Sequence, residues 1–433
     1  MKKLLQIFFA ITSISSFCQN YIPLDTTDYK DREALLLKIE EQYSETAEKI
    51  EYEFNNELAE EINSSYSDLF NLIYDKVENK ELVFNSNFTE YIASITKEII
   101  DNNPKLLEQK QITPYVTKHN SVNAFSAGNG YIFLNMGLFN YLDNEAQLVS
   151  VLCHEIAHDI LEHSKKSIIT RAKQEVSLEK KELAKKIKKT KYNRQSEAYS
   201  EFKKILYADK KKNRTKEIQA DSLGFILFKN TKYDPKEFLN ALEKIAEIDS
   251  LPEISVNKET YREIFNMPEQ SFKEEWLRIE SYDNYGYGNY NSKIHKDSIK
   301  THPEIYDRIA LIKKHLNNGT KDLKVIDKDN QFDQLKKIAK KESSANLFHL
   351  KAYGLSTYLT LYKLQNNPLD NYLKKMIGNN FYEILKAKKA YKFNKYIERI
   401  KPHEQDESYI QFLNFIWNLR LSEIEAIAKY YNK

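Results

Sequence analysis

The sequence predicts a mainly α-helical protein of the α+β class, in which one small β-hairpin or sheet stands among helices. Glycine and proline each occur only nine times in 433 residues, while lysine, glutamate, leucine and isoleucine are abundant, and this composition favours helices. Apolar residues recur at helical intervals over most of the chain, but residues 131–134 form a short aromatic and aliphatic run of strand type. The length suits two or three folded units.

The amino-terminal residues have the form of a secretory signal peptide. Two lysines precede an apolar run over residues 4–14, and Ser16 and Cys18 are small enough to allow cleavage before Gln19. We therefore predict a signal peptide over residues 1–18. The mature chain is expected to be exported, to the periplasm or the outer membrane rather than the medium. A lipid anchor on Cys18 is the alternative to cleavage.

Charge and hydropathy argue against two broad classes of protein. The net charge is only +3, and residues of both signs are spread along the chain, which disfavours nucleic-acid binding. After the first apolar run, no stretch approaches the roughly 18 apolar residues that span a bilayer. Once the predicted signal peptide is removed, Cys153 is the one remaining cysteine, so we expect no intramolecular disulfide.

The most informative stretch is His154-Glu155-Ile156-Ala157-His158. Apolar residues at helical spacing on both sides predict that it lies on a helix. Positions four apart on a helix are only about 40° from eclipsed, so His154 and His158 can bind one zinc ion. Glu155 lies at the rim of the same face, where it can take a proton from water.

A catalytic zinc site needs a third protein ligand. If the helix continued, His163 would point about 180° away from His154, so we expect it to be a surface or packing histidine. Cys153 lies about 100° off the ligand face and is expected to be a buried, inert thiol. The preferred candidate is Glu217, which lies four residues before Asp221 on a second predicted helix, where Asp221 can accept a hydrogen bond from a ligand histidine.

A β-hairpin is predicted directly before the metal helix. Glycines at positions 128 and 130 mark a tight turn, and the strand run follows it. The hairpin could be simply a buried strand pair. Alternatively, its free edge could bind an extended peptide across the metal by β-augmentation, with Asn123, Ala124 and Phe125 in contact with the substrate.

These motifs occur in a fixed order. They are Asn123-Ala124-Phe125 with Gly130-Tyr131-Ile132-Phe133, the His154–His158 motif with His163 behind it, Glu217-x-x-x-Asp221, and His302-Pro303 followed by Arg308. The set, over about residues 85–315, resembles the zinc metallopeptidases of the HtpX, CAAX prenyl endopeptidase and Oma-type group. It is most similar to their soluble periplasmic BepA-like branch. Gln219 departs from that pattern, because bacterial relatives often have Glu there, and the hairpin turn reads Ala-Gly-Asn-Gly.

The resemblance implies a gluzincin-type zincin domain that hydrolyses peptide bonds. One Zn²⁺ per chain would be bound by His154, His158 and Glu217, and Glu155 would act as the general base. The strand at Asn123, Ala124 and Phe125 would hold the substrate backbone.

Three other residues have expected supporting roles. Asp221 would accept the N–H of a ligand histidine, and Arg308 would anchor its loop through a carboxylate. His302 would lie at the mouth of a helix that Pro303 begins. There it could donate a hydrogen bond to the oxyanion, act as a fourth zinc ligand that keeps the enzyme latent, or have neither role.

The predicted organisation has four parts. A signal peptide over 1–18 is followed by an N-terminal helical arm over 19–81, which is either a packing arm or an inhibitory segment. The zinc metallopeptidase domain spans 82–320. The C-terminal helical domain spans 321–433 and consists of hairpins, TPR-like without a fixed period, that could bind an envelope protein partner.

Two functions are compatible with this organisation. The first is an exported zinc endopeptidase whose partners are polypeptide substrates, namely unfolded or misassembled envelope proteins. The alternative is a chaperone-like or partner-binding protein in which the helical tail binds the partner and the metal site is latent. A site that holds zinc only for structure would leave Glu155 without a role.

Overall fold

The computed structural model describes residues 21–24, 28–84, 86–177, 213–248, 254–278, 305–317, 331–401 and 405–433. The predicted signal peptide and His302 lie outside the described residues. Contacts divide the chain into two compact units. One comprises Asp25–Leu251 and Gly288–Lys340, and the other comprises Met1–Leu24, Pro252–Tyr287 and Lys341–Lys433. The boundaries predicted at residues 82 and 321 stay predictions.

The described chain is mainly helical and carries one small mixed sheet, which confirms the predicted α+β class. The α-helices are α1 (Tyr29–Glu53), α2 (Asn56–Glu78), α3 (Asn87–Asn102), α4 (Pro104–Leu107), α5 (Gly137–Tyr141), α6 (Glu145–Ile160), α7 (His163–Glu175), α8 (213–229), α9 (Lys236–Ala246), α10 (Lys258–Phe265), α11 (Ile305–Asn317), α12 (Gln331–His349), α13 (Tyr353–Asn366), α14 (Asn371–Lys389), α15 (Glu407–Asn418) and α16 (Leu421–Tyr431). Within the described ranges, none of these helices has the length and apolar character needed to cross a bilayer.

The sheet lies in the first unit and has the order β1-β2-β4-β3. Its strands are β1 (Leu82–Val83), β2 (Thr113–Thr117), β3 (Ala124–Gly128) and β4 (Tyr131–Asn135). β2 and β4 are parallel, whereas β1 pairs with β2 and β3 pairs with β4 in the antiparallel sense. β3 is therefore an edge strand of the described sheet, and it packs beside α6.

The turn between β3 and β4 depends on its glycines. Gly128, Asn129 and Gly130 all have positive φ, at 86°, 51° and 77°. A Cβ atom on Gly130 would lie 1.7 Å from the carbonyl oxygen of Gln111, so no other residue fits there. The predicted hairpin is thus present, and its turn passes close to the chain that leads into β2.

The N-terminal helices α1 and α2 pack against each other, and α2 packs against α7. Their apolar faces share one core with the sheet. The members of that core are Leu35, Ile39, Ile50, Ala59, Ile62, Tyr66, Phe70, Ile73, Val77, Leu82, Ala127, Tyr131, Phe133 and Ala172. α1 and α2 are therefore bound to the sheet through buried side chains.

The second unit is a helical assembly with an aromatic core. α14 packs against both α13 and α16, and α10 packs against α13. Phe265, Phe381 and Phe415 meet at its centre, with ring centroids 4.7 Å apart for Phe265 and Phe415 and 5.6 Å apart for Phe265 and Phe381. Such rings bury a large apolar area and contact each other in tilted pairs, which explains the aromatic positions of the C-terminal sequence.

Candidate metal centre

Helix α6 carries the two histidines of the motif. Asn144 caps its first turn, because the Asn144 side chain accepts a hydrogen bond from the backbone N–H of Gln147 at 2.9 Å. Residues on most sides of α6 are buried, so the helix is fixed in the core of its unit. His154 and His158 lie one turn apart, with their Nε2 atoms 3.1 Å from each other.

Glu217 on α8 completes a three-residue cluster with these histidines. Its Oε2 lies 3.4 Å from Nε2 of His154, and its Oε1 lies 3.5 Å from Nε2 of His158. A tetrahedral zinc ion bound at about 2.0–2.1 Å separates its ligand atoms by roughly 3.3–3.4 Å. The three observed separations are close to that value, so the cluster fits a metal ion of this size and geometry.

Asp221 and Arg308 orient His154 through its Nδ1 atom, the ring nitrogen that does not face the cluster. Nδ1 of His154 lies 2.9 Å from Oδ1 of Asp221. Arg308 on α11 forms a forked contact with the same carboxylate, from Nε at 2.6 Å and from Nη2 at 2.8 Å. Burial alone would raise the pKa of Asp221, but the hydrogen bonds from Arg308 and His154 hold it below its ordinary value. An ionised Asp221 accepts a hydrogen bond from the proton on Nδ1 of His154, so Nε2 is the nitrogen that would bind a metal.

The remaining groups of the cluster have strongly shifted pKa values. Burial would raise the pKa of Glu217, yet its contacts with His154 lower it to about 2. Burial would lower the pKa of His154, but hydrogen bonds to Asp221 and Glu217 raise it to about 9. Burial and the neighbouring His154 lower the pKa of His158 to about 3. The cluster therefore presents two ionised carboxylates around the histidines, which is the charge that a cation requires.

Glu155 is almost fully buried beside the cluster and lines the cleft in front of it. Burial raises its pKa to about 7, although the positive charge of His154 beside it opposes that increase. Ser126 of β3 lines the same cleft, so the edge strand and the carboxylate of Glu155 border one space.

The cleft itself has a volume of about 410 Å³. Asn123, Ala124 and Phe125 line it together with the metal cluster; their role in binding substrate stays a prediction. Its apolar lining consists of Leu138, Val151, Phe238, Ala241, Leu242 and Ile245. No residue of the described part of the arm, 28–81, lines this cleft.

His163 is buried, as the packing alternative for it requires, but it does not lie on a continuation of α6. Helix α6 ends at Ile160, Glu162 adopts the left-handed conformation with φ 53°, and α7 begins at His163. His163 consequently turns back onto the motif, with Nδ1 3.0 Å from Nδ1 of His158, and it is buried. The expectation of an unbroken helix was wrong because no glycine or proline marks the break. Cys153, by contrast, is a buried free thiol, and burial raises its pKa.

Comparison with known proteins finds a family match in the region that carries this cluster. The sequence profile of Peptidase family M48 matches residues 87–316, which is more than half of the chain. The chain is also similar to the beta-barrel assembly-enhancing protease of Yersinia pestis, with 32% identity over 82 residues, 19% of this chain and 16% of that protein. For the protein of the same name from Escherichia coli strain K12, the identity is 33% over 78 residues, 17% of this chain and 15% of that protein.

These pairwise matches cover only about a sixth of each relative, so they extend the family assignment no further. The profile match begins at Asn87, the first residue of α3, and includes α6, α8 and all of α11 except its last residue, which together carry the cluster and its arginine. Taken with the three converging ligand groups, it shows that this chain belongs to Peptidase family M48 and is a metallopeptidase.

Proposed function

We propose that this chain is an exported, zinc-dependent metalloendopeptidase. The observation that supports the proposal best is the convergence of His154, His158 and Glu217, whose facing atoms are 3.1, 3.4 and 3.5 Å apart. Two imidazoles and one carboxylate form the ligand set that zinc takes in hydrolytic sites with an open fourth position. A bound zinc ion would supply a Lewis acid for the scissile carbonyl and would lower the pKa of a coordinated water.

Glu155 is the proposed general base. Its carboxylate lines the cleft next to the cluster, and Ser126 of β3 lines the same cleft. It would accept a proton from the attacking water and later return this proton to the departing amine. Asp221 and Arg308 would keep His154 in the orientation that leaves Nε2 free, and they would take no proton themselves.

The substrate is proposed to bind as an extended polypeptide along β3. Asn123, Ala124 and Phe125 line the cleft, and β3 is an edge strand whose outer side carries no other strand within the described ranges. Backbone groups of the substrate could pair with that edge by β-augmentation, while the apolar lining receives a side chain. A polypeptide can bind in this way only if it is locally unfolded.

The proposed substrates are unfolded or misassembled envelope proteins. The similar proteins of Yersinia pestis and Escherichia coli are named beta-barrel assembly-enhancing proteases, and this name supports the proposal. The form of residues 1–18 supports export to the compartment where such substrates occur. Binding of an envelope partner by the C-terminal helices is part of the same proposal.

The test combines metal content with cleavage of an unfolded protein such as casein. Wild-type protein is expected to bind one zinc ion per chain and to cleave casein, and a chelator should abolish cleavage. The Glu155→Gln variant should bind zinc as the wild type does and should not cleave. Glu90→Gln, a substitution of an exposed glutamate on α3, is the matched control and should leave both properties unchanged.

Two outcomes would contradict the proposal. Cleavage that persists with the chelator present would exclude a metal mechanism. Cleavage by Glu155→Gln at the wild-type rate would exclude the proposed base. A Glu155→Gln protein that returns a deletion strain to the wild-type phenotype would instead favour the alternative function, in which the chain acts by binding partners.

A further inference from the structure

We propose that His163, oriented by Gln219, is a positioning residue that fixes His158 in the tautomer able to bind metal. The inference rests on the proposed function, because it concerns the orientation of one proposed zinc ligand. It assigns a role to a buried histidine that is neither a ligand nor the base. The relevant atoms form a chain from Gln219 through His163 to His158.

When Gln219 presents its carbonyl oxygen to His163, these hydrogen bonds allow one arrangement of protons. Oε1 of Gln219 lies 3.2 Å from Nε2 of His163, and a carbonyl oxygen can only accept a hydrogen bond. Nε2 of His163 must therefore carry the proton, which leaves Nδ1 of the neutral ring as an acceptor. That Nδ1 lies 3.0 Å from Nδ1 of His158, so His158 donates there. The lone pair of His158 is then on Nε2, the atom that faces Glu217 and His154.

The reverse arrangement would disable the ligand. If His163 carried its proton on Nδ1, then Nδ1 of His158 would have to accept, and Nε2 of His158 would carry a hydrogen. A protonated ring nitrogen cannot bind a metal ion. The side-chain oxygen of Gln219 thus determines which atom donates and which accepts in both hydrogen bonds.

The two proposed histidine ligands are consequently oriented by different hydrogen-bond acceptors. His154 donates to an ionised carboxylate that an arginine clamps, whereas His158 donates to a neutral ring. The neutral ring of His163 adds no further negative charge to a cluster that already contains Glu217 and Asp221. Its contact with His158 depends on the break after α6, because on a continuous helix residues five apart point about 140° away from each other.

The experiment compares variants of His163 that separate packing from hydrogen bonding. His163→Phe keeps an aromatic ring but has no nitrogen. His163→Asn removes the ring, but its Oδ1 is as many bonds from Cβ as the Nδ1 that it replaces, so it can accept from His158. The readouts are zinc affinity by competition with a chelating dye, the visible spectrum of the cobalt-substituted protein, and thermal unfolding of the metal-free protein.

The proposal predicts that His163→Phe raises the zinc dissociation constant by about 10–100-fold, as loss of a hydrogen bond to a ligand typically does. Its cobalt spectrum should change, while the metal-free protein should unfold close to the wild-type temperature. His163→Asn should bind zinc within a few-fold of the wild type. Gln219→Glu, which keeps an acceptor, should bind zinc at least as tightly as Gln219→Leu.

Wild-type zinc affinity in His163→Phe would overturn the proposal. So would equal weakening in His163→Phe and His163→Asn, since this pattern indicates a packing role. Failure of the proposed function is distinguishable, because in that case the wild-type protein itself would not bind zinc or would cleave without it.

Discussion

Replacing Gly224 with alanine tests how closely the two ligand helices must approach. Gly224 lies on the same face of α8 as Glu217 and Asp221, seven residues after the proposed ligand. A Cβ atom there would lie 3.0 Å from Cα of His154, 3.1 Å from its backbone nitrogen and 3.1 Å from the carbonyl oxygen of Cys153. All three atoms belong to the backbone of α6 and cannot rotate away.

The expected effect follows from these distances. Carbon atoms pack comfortably at about 3.5–4.0 Å, so α8 would have to move from α6 by roughly 0.5 Å. Zinc sites tolerate deviations of only about 0.2 Å in ligand distance. Overpacking costs about 1–3 kcal/mol, and the helix preference of alanine over glycine offsets about 1 kcal/mol of it. We therefore expect Gly224→Ala to lose about 0–2 kcal/mol of stability when metal-free and to bind zinc about tenfold more weakly, which corresponds to about 1.4 kcal/mol.

The assay is zinc affinity by chelator competition, together with thermal unfolding of the metal-free protein. Gly354→Ala on α13 is the matched control, because its added Cβ would first meet the flexible end of Ile397 at 3.3 Å, in the other compact unit. The control should bind zinc normally. A Gly224→Ala protein with wild-type zinc affinity would show that the contact between α6 and α8 does not set the ligand geometry.

Three further predictions concern the supports of the site and of the fold. Arg308→Lys should weaken zinc binding by about 10–100-fold, because an ammonium group cannot reproduce the forked contact with Asp221; unchanged affinity would contradict this role. Glu81→Gln should destabilise the protein at pH 7, measured by urea unfolding, and the loss should shrink as pH falls below the ordinary carboxyl pKa of about 4.3 and vanish below the lowered pKa of the folded state. Burial would raise the pKa of Glu81, but hydrogen bonds from His119 and a lysine lower it, so its stabilisation exists above the unfolded pKa and is lost as pH falls through the folded one; a loss independent of pH would refute this. Asn144→Ala should cost about 1 kcal/mol, measured in the same unfolding assay, through loss of the cap on α6, and no change would mean that the cap is dispensable.

Much of the fold follows from local sequence signals. Helical periodicity marks the long helices, and the glycines at 128 and 130 mark the turn between β3 and β4. The strands β1 and β2 were not predicted, because β1 has only two residues and β2 includes Pro114. The parallel pairing of β2 with β4 depends on chain crossover, and no short-range pattern encodes it.

The proposed site was predictable where it depends on spacing within one helix. The four-residue intervals from His154 to His158 and from Glu217 to Asp221 place each pair on one face. The position of His163 was not predictable, because it depends on a left-handed conformation at Glu162, a residue type that rarely adopts it. The placement of Glu155 beside β3 depends on packing between a helix and a strand that only the folded chain defines.

The shared core of the N-terminal arm and the sheet has a consequence for how the chain matures. Ribosomes deliver α1 and α2 first, yet Phe70 and Ile73 pack in one cluster with Ala127 and Tyr131, which are made more than fifty residues later. Until then the nascent arm presents an uncovered apolar stripe. Chaperones that cover this apolar stripe would keep the nascent arm from aggregating. A shortened chain that begins at residue 82 would leave the complementary face of the sheet exposed.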